Sequence, residues 1–387
     1  MDRRGRLHKV LVTVVSPDLS VNCLARAHVL ARLLEPRHEV EIAGPQLGTE
    51  IWPPLRDEYA YRAVDTNRDI ARFALSVPEL LGKISGDVVV VSKPRLSSYG
   101  VGLLKSVLED VPLVVDVDDW ETRMLHGDGG GRSRYVSGLA SLPLINSFYP
   151  TRCCERLVRY ADETTVSTRV LGEQFGGVVV PHARDTEQFS PDRYDKTRVR
   201  EELGLPRDEF LVMFSGTPRP HKGVEDLARA VADIGRDDVT GVIVGAPETE
   251  YTERIRRTGG EYVRVFGRRD FDEIPKWIAA ADVFAIPQRA SPQAAGQLPA
   301  KLFEAMAMGK PIVSTRVSDI PHVLDGCGIV IEPGDHEQLE RAITDLYRDS
   351  SLRDELGEAA REKCVEEYSY QALSPVLDEV VQRAAAN

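Results

Sequence analysis

Nine short runs rich in Val and Ile constrain this chain more than any other feature. They are "VLVTVV", "EVEIAG", "DVVVVS" and "PLVVDV" in the first half, then "FLVMFSG", "TGVIVG", "DVFAIP", "PIVST" and "GIVIE" in the second. Each is too short to be a helix and too uniformly apolar to be a strand with one wet face, so each reads as a strand buried on both sides. Helical patterns separate them, which is the grammar of a parallel sheet covered by helices. Because the series occurs twice, and 387 residues exceed one ordinary core, the expected fold is α/β with two doubly wound, Rossmann-like domains. Between the halves lies "PHARDTEQFSPDRYDKTRVREELGLP", polar and punctuated by proline. It predicts a first domain over 1–190 and a second over 191–368. The closing "SYQALSPVLDEVVQRAA" reads as a final helix.

Composition excludes several classes. The hydrophobic fraction of 42% and charged fraction of 28% are those of a globular protein. The apolar run at the start, Val10 to Val15, is a strand and too short for a signal peptide. With no run of membrane-spanning length, the expectation is a cytoplasmic protein, with peripheral contact at a membrane as the alternative. The five cysteines lack zinc-type spacing and read as reduced thiols, adjacent Cys153 and Cys154 as packing residues. Net charge is −12, and it is uneven: residues 1–190 carry 23 Lys+Arg against 25 Asp+Glu, while 191–387 carry 26 against 36. Such a chain offers no basic surface for nucleic acid, so an anionic ligand would need a local cluster of cations.

Three such clusters stand out. In "SPQAAGQLPAKLFEAMAMGK", the segment Gly296, Gln297, Leu298, Pro299 cannot continue a helix backwards, whereas the residues from Ala300 favour one. The first turn of that helix, with Lys301 inside it, suits an anion; a core helix with Leu302, Phe303 and Met306 inward is the alternative. After "FLVMFSG", the segment "GTPRPHKG" sets Gly216, Arg219, Lys222 and Gly223 on a proline-stiffened loop. It is either a clamp for a diphosphate or a solvated turn. In "VRVFGRRDF", Gly267 and Arg268 follow a strand, near a nucleotide base or simply in solvent.

The first half is less explicit. Asp116, Asp118, Asp119 and Glu121 cluster at the end of "PLVVDV", but Asp116 and Asp118 continue a strand and lack spaced partner ligands, so no metal site is expected. His126 beside "GDGGG" reads either as a general acid/base on a mobile loop or as a surface histidine. The dinucleotide fingerprint GxGxxG is absent after the first strand, where "SPDLSVNCLA" stands, which removes the main support for a dehydrogenase.

Together these segments resemble the GT-B glycosyltransferases of family 4. "ADETTVSTRVLGEQFGGVVVPHARDTEQFSP" is similar to the family's crossover, with Pro181, Asp185, Phe189 and Pro191 in place and His182 where asparagine is usual. "GTPRPHKG" resembles the phosphate loop, with its arginine two places late at Arg219. "FGRRDFDEIPKWIAAADVFAIP" resembles the base-proximal segment. The stretch from Gly296 resembles the Glu-x7-Glu motif, keeping the second acid, Glu304, but bearing Gly296 in place of the first.

The resemblance implies two domains facing across a cleft. The first would bind the acceptor, with Asp18, Ser20 and Asp119 on that side and the last helix, about 369–387, packed back on it. The second would bind a nucleotide diphosphate sugar through Gly216, Gly267, Arg268, Gly296, Gln297, Leu298, Pro299, Lys301 and Glu304, with Glu304 on the ribose. Arg219, Lys222 and His126 are then the expected catalytic residues. The implied reaction moves a sugar to an acceptor hydroxyl of a small molecule or glycan, with retention and without metal or cofactor. A GT-B protein that binds nucleotide without transfer, or a sugar-nucleotide epimerase, are the alternatives.

Overall fold

The structure is a computed structural model that describes residues 9–125, 141 and 143–386. Two compact units divide the chain: one comprises residues up to His182 together with the segment from Tyr370, the other Ala183–Ser369. The first boundary falls eight residues before the expected 190. The reason is visible in the second unit, where Arg184 donates its N–H to Tyr368 O at 2.9 Å and forms a parallel bridge with Ser369. The polar "RDTEQFSP" thus enters the second unit as ordered chain.

Among the described residues, the first unit holds a seven-stranded sheet of order β3-β2-β1-β4-β5-β6-β7. Its strands are β1 (Leu11–Val15), β2 (Glu39–Gln46), β3 (Arg62–Asp65), β4 (Val88–Ser92), β5 (Leu113–Val117), β6 (Glu163–Val166) and β7 (Val178–Val179). The second holds a six-stranded sheet of order β10-β9-β8-β11-β12-β13: β8 (Phe210–Ser215), β9 (Val239–Val244), β10 (Val263–Phe266), β11 (Val283–Ile286), β12 (Ile312–Thr315) and β13 (Ile329–Ile331). Every pairing in both is parallel.

The central strands β4, β5 and β8 are buried at every residue, which is why they are apolar apart from Asp116 and the terminal serines Ser92 and Ser215. Asp69, Thr168, Asp195, Thr249, Asp335 and Asp349 each accept a backbone N–H at a helix start, so the polar residues between strands set where helices begin. The final helix, Tyr370–Ala384, packs on the helix Leu24–Leu34 of the first unit. His38 Nε2 meets Asp378 Oδ1 at 2.9 Å, and Arg383 pairs with Glu163. Among the described residues no helix is long and apolar enough to cross a membrane.

Strand order reverses between β1 and β4 in the first unit and between β8 and β11 in the second. At such points the loops leaving the carboxyl ends diverge and open a crevice.

Candidate functional site

In the second unit the crevice is built from the ends of β8 and β11. Beyond Ser215 the chain turns at Gly216 with φ 108°, and Gly216 N–H donates to Val244 O at 2.7 Å. The loop continues through a single 3-10 turn, Pro220–Lys222, into the helix Val224–Ile234. Gly223 joins them with φ 65°, and a Cβ there would lie 1.8 Å from Pro287 O, just past β11. Only glycine permits that approach. Gly223→Ala should therefore cost about 2 kcal/mol or more, from the left-handed backbone and the displaced loop. The denaturation midpoint measures this; a loss within about 0.5 kcal/mol, the scatter of surface substitutions, would mean that the loop yields freely.

Two lysines converge on Gly216. Lys222 Nζ donates to Thr217 O at 2.9 Å. Lys301 Nζ donates to Ser215 O, sits 3.8 Å above the Phe214 ring and lies 2.6 Å from where a Gly216 Cβ would be. Among the described residues neither ammonium has a carboxylate within ion-pair distance. Burial, and then Arg219, pushes the Lys222 ammonium down to about 8. Burial, and then Lys222, holds Lys301 well below the ordinary lysine range, with Glu304 offsetting a part. Half-buried ammonium groups that lack an adjacent carboxylate make a site that an anion would stabilise.

The remaining expected donor residues are arranged around this pair. Arg219 is exposed at the start of the 3-10 turn. The helix beginning after Pro299 spans Ala300–Ala307, and Leu302 N–H donates to Pro299 O at 2.9 Å. Gly296 is buried in the preceding turn, and Gln297 N–H donates to Ala294 O. The Leu298 side chain is 3% exposed within the hydrophobic core, which leaves its backbone for the expected donor contact. Glu304, 7% exposed, is paired with Arg184 Nη2 at 2.8 Å. The sequence gives no sign of that partner, whose guanidinium sets a counter-charge beside the buried side chain. Gly267 O accepts from Gly245 N–H at 3.1 Å, and Gly245 abuts Gly216, which connects the end of β10 to the phosphate loop. A Cβ at Gly267 would meet nothing within 4 Å, so packing does not require glycine there. Arg268 is exposed.

A clamp not foreseen from the sequence ties the two loops together. Arg289 Nε donates to Asp226 Oδ2 at 2.7 Å, its Nη2 reaches Oδ1, and its N–H donates to His221 O at 2.8 Å. Its signal, an arginine just past a strand, is too common to single out.

The first unit gathers charge at its own crevice. Lys93 follows β4 in the left-handed region with φ 66°, and its Nζ lies 2.9, 2.7 and 3.0 Å from Asp118, Asp119 and Glu121. Arg95 also pairs with Glu121. Arg26 binds Asp116 through two nitrogens at 2.9 and 2.7 Å, and His182 lies 3.1 Å from Asp118. Burial opposes ionisation of Asp118, but Lys93, His182 and Arg26 outweigh it and hold its carboxyl well below the usual range. For Asp119 burial prevails over Lys93, with Asp118 and Glu121 adding to it, and the carboxyl is raised. Asp18, expected on the acceptor side, organises the loop after β1: its Oδ1 accepts from Ser20 N–H and Oγ and from Leu47 N–H. Ser20 Oγ in turn accepts from Gly48 N–H at 2.7 Å. Asp119, half-exposed, faces Lys93. His126 lies outside the described residues.

Residues 209–349, which contain the lysine pair, Gly223, the Arg289 clamp and Glu304, match the family described as glycosyl transferases group 1. The GDP-mannose-dependent alpha-(1-6)-phosphatidylinositol monomannoside mannosyltransferase of Mycolicibacterium smegmatis is 29% identical over 58% of this chain and 63% of its own length. The chain spans between half and two thirds of the length of the curated relatives it matches first. A glycosyltransferase from Rickettsia africae superposes with a TM-score of 0.75 at 14% identity, covering 98% of this chain and 100% of that one. Anabaena HepE in complex with UDP and glucose superposes with a TM-score of 0.72 at 18% identity, covering 96% and 99%. The chain has the GT-B fold of two Rossmann-like domains, and residues 209–349 of its second unit are similar to glycosyl transferases group 1.

Proposed function

We propose that the protein is a glycosyltransferase that moves a sugar from a nucleotide diphosphate donor to an acceptor hydroxyl, with retention of anomeric configuration and without a metal ion. The observation that carries this reading is the pair Lys222 and Lys301, half-buried beside Gly216 at the switch point of the second sheet, with no carboxylate at ion-pair distance among the described residues. A diphosphate supplies the counter-charge that the fold withholds. As the glycosidic bond breaks, negative charge grows on the departing nucleoside diphosphate, and cations already in place stabilise that charge without reorganising. Arg219, exposed at the loop start, can close on the same phosphates. The acceptor proton passes to the donor phosphate on the same face, a route that needs no carboxylate nucleophile. The names of the similar proteins, one GDP-mannose-dependent and one bound to UDP and glucose, support a nucleotide-sugar donor.

The experiment is product analysis of purified protein with GDP-mannose, UDP-glucose and related donors, with and without polyol and glycan acceptors. Sugar transferred to an added acceptor supports the reading. A sugar changed with donor alone would identify an epimerase, and nucleotide binding without turnover would identify a binding protein. Transfer should persist undiminished in excess EDTA, because the phosphate clamp is made of side chains and backbone. Activity lost to EDTA and restored by Mg²⁺ or Mn²⁺ would sink the metal-free mechanism.

A further inference from the structure

Gly296 stands where the resemblance places the acid that grips the donor sugar, so another group must take that contact if the site discriminates sugars. The carboxyl end of β11 offers one. Gln288 is 2% exposed, and its carboxamide Nε2 is buried without a hydrogen-bond partner among the described residues. Its backbone is fully engaged: N–H donates to Ile286 O at 2.9 Å, and the carbonyl accepts from Thr315 Oγ1 at 2.6 Å. The residues on either side touch the phosphate loop, Pro287 O against Gly223 and Arg289 N–H on His221 O. Gln288 therefore sits at the carboxyl end of β11, between two residues that touch the loop after β8.

A buried amide donor without an acceptor is costly, and in folded proteins it calls for a partner. The neighbouring strand end repeats the pattern. Ser318, three residues past β12, occupies left-handed backbone with φ 51°, and its Oγ is also buried without a partner. Strain in a non-glycine residue and unsatisfied polar groups concentrate where a ligand completes the site. Both groups are neutral, which suits the hydroxyls of a sugar and contrasts with the cations at Gly216.

Resting on the donor-site reading above, we infer that Gln288 is a specificity-determining residue, its carboxamide donating to a hydroxyl of the transferred sugar in the role left open by Gly296. The proposal separates sugar recognition, at the ends of β11 and β12, from phosphate recognition, at the end of β8.

The test compares affinities for GDP, UDP, GDP-mannose, UDP-glucose and UDP-N-acetylglucosamine by calorimetry in the parent chain and in Gln288→Met, which keeps length and removes the polar group. The expected result is a roughly tenfold or greater loss for the nucleotide sugar that the parent prefers over its nucleotide, with GDP and UDP binding unchanged. Gln288→Glu, of the same shape but without the donor, should show the same selective loss, and it serves if Gln288→Met does not fold. Equal losses for nucleotide and nucleotide sugar would overturn the assignment, placing Gln288 on the phosphates or in the support of the loop. Unchanged binding in both variants would also overturn it and make the amide a structural group. A parent chain that binds none of the five nucleotides overturns the donor-site reading itself, and this assignment with it.

Discussion

Lys222→Met should weaken UDP or GDP binding by roughly 10- to 100-fold, since a charge-assisted contact to a partly desolvated phosphate is worth about 1.5 to 3 kcal/mol. Combining it with Lys301→Met should remove on the order of a thousandfold, if the two ammonium groups hold the same diphosphate. The variants should fold as well as the parent, because each ammonium is partly desolvated at a cost that methionine does not carry. The pH dependence is a sharper check. In the free protein Lys222 titrates near 8, and a bound diphosphate favours its charged form, so binding raises that value. Below about 8 the Lys222 ammonium is already charged and adds no pH dependence, so any that persists there belongs to Lys301. Above about 8, binding must take up a proton, and affinity should fall as pH rises until the value in the complex is passed. Calorimetry in buffers of different ionisation enthalpy reads that proton directly. Affinity independent of pH between about 7 and 10, together with wild-type binding by Lys222→Met, would remove the lysine pair from the donor site.

The fold was legible because parallel sheets buried on both faces must be spelled in continuous apolar residues. "DVVVVS" and "FLVMFSG" could be little else, and β4 and β8 occupy them. The strands that went unread, β3, β6 and β7, lie at or next to an edge of the first sheet. β3, "RAVD", has one buried residue, and β7 is two residues long; neither contains enough apolar chain to give a pattern. The junction at Pro299 was legible for a different reason: proline cannot sit inside a helix, and the alanine-rich sequence that follows favours one.

The site was legible where one local segment builds it and illegible where distant segments meet. Gly216, Lys222 and Gly223 lie within one loop, so "GTPRPHKG" displayed them together. Lys301 reaches the same point from another segment, and the sequence presented it only as a residue near a helix start. Nothing local tied Glu304 to Arg184, 120 positions away, or Asp116 to Arg26, 90 positions away. In the first half the acids were noticed and their cations were not. "VSKPR" places Lys93 directly past a strand, the one local hint, and Arg26 hides inside the helix "LARAHVLARLL" on the face of Leu30 and Leu33, where an apolar residue is the ordinary expectation.

Arg26→Met should destabilise the first unit by about 3 to 5 kcal/mol, the range for removing one partner of a buried ion pair. Arg26 is 2% exposed and Asp116 is fully buried, so the carboxylate left behind cannot recruit water. The same substitution frees Val180 O and Pro181 O, which the guanidinium satisfies at 2.7 and 3.2 Å, and withdraws a cation 3.8 Å from Asp118. Thr165 Oγ1 still donates to Asp116 at 2.8 Å, which stabilises the orphan only in part. Domains of this size are stable by some 5 to 15 kcal/mol, so one side chain would remove a large share of the margin. Denaturant unfolding followed at Trp120, which belongs to the first unit and packs on Phe175, should show an earlier transition. The double variant Arg26→Met with Asp116→Asn tests the cause: with the charge removed and the Thr165 contact kept, much of the loss should return, so the two effects fall well short of additive. A single variant that loses less than about 1 kcal/mol, the worth of an ordinary surface pair, would mean that water or Lys93 can take the place of Arg26. The buried charges of this unit would then be independent contacts rather than one interlocked network.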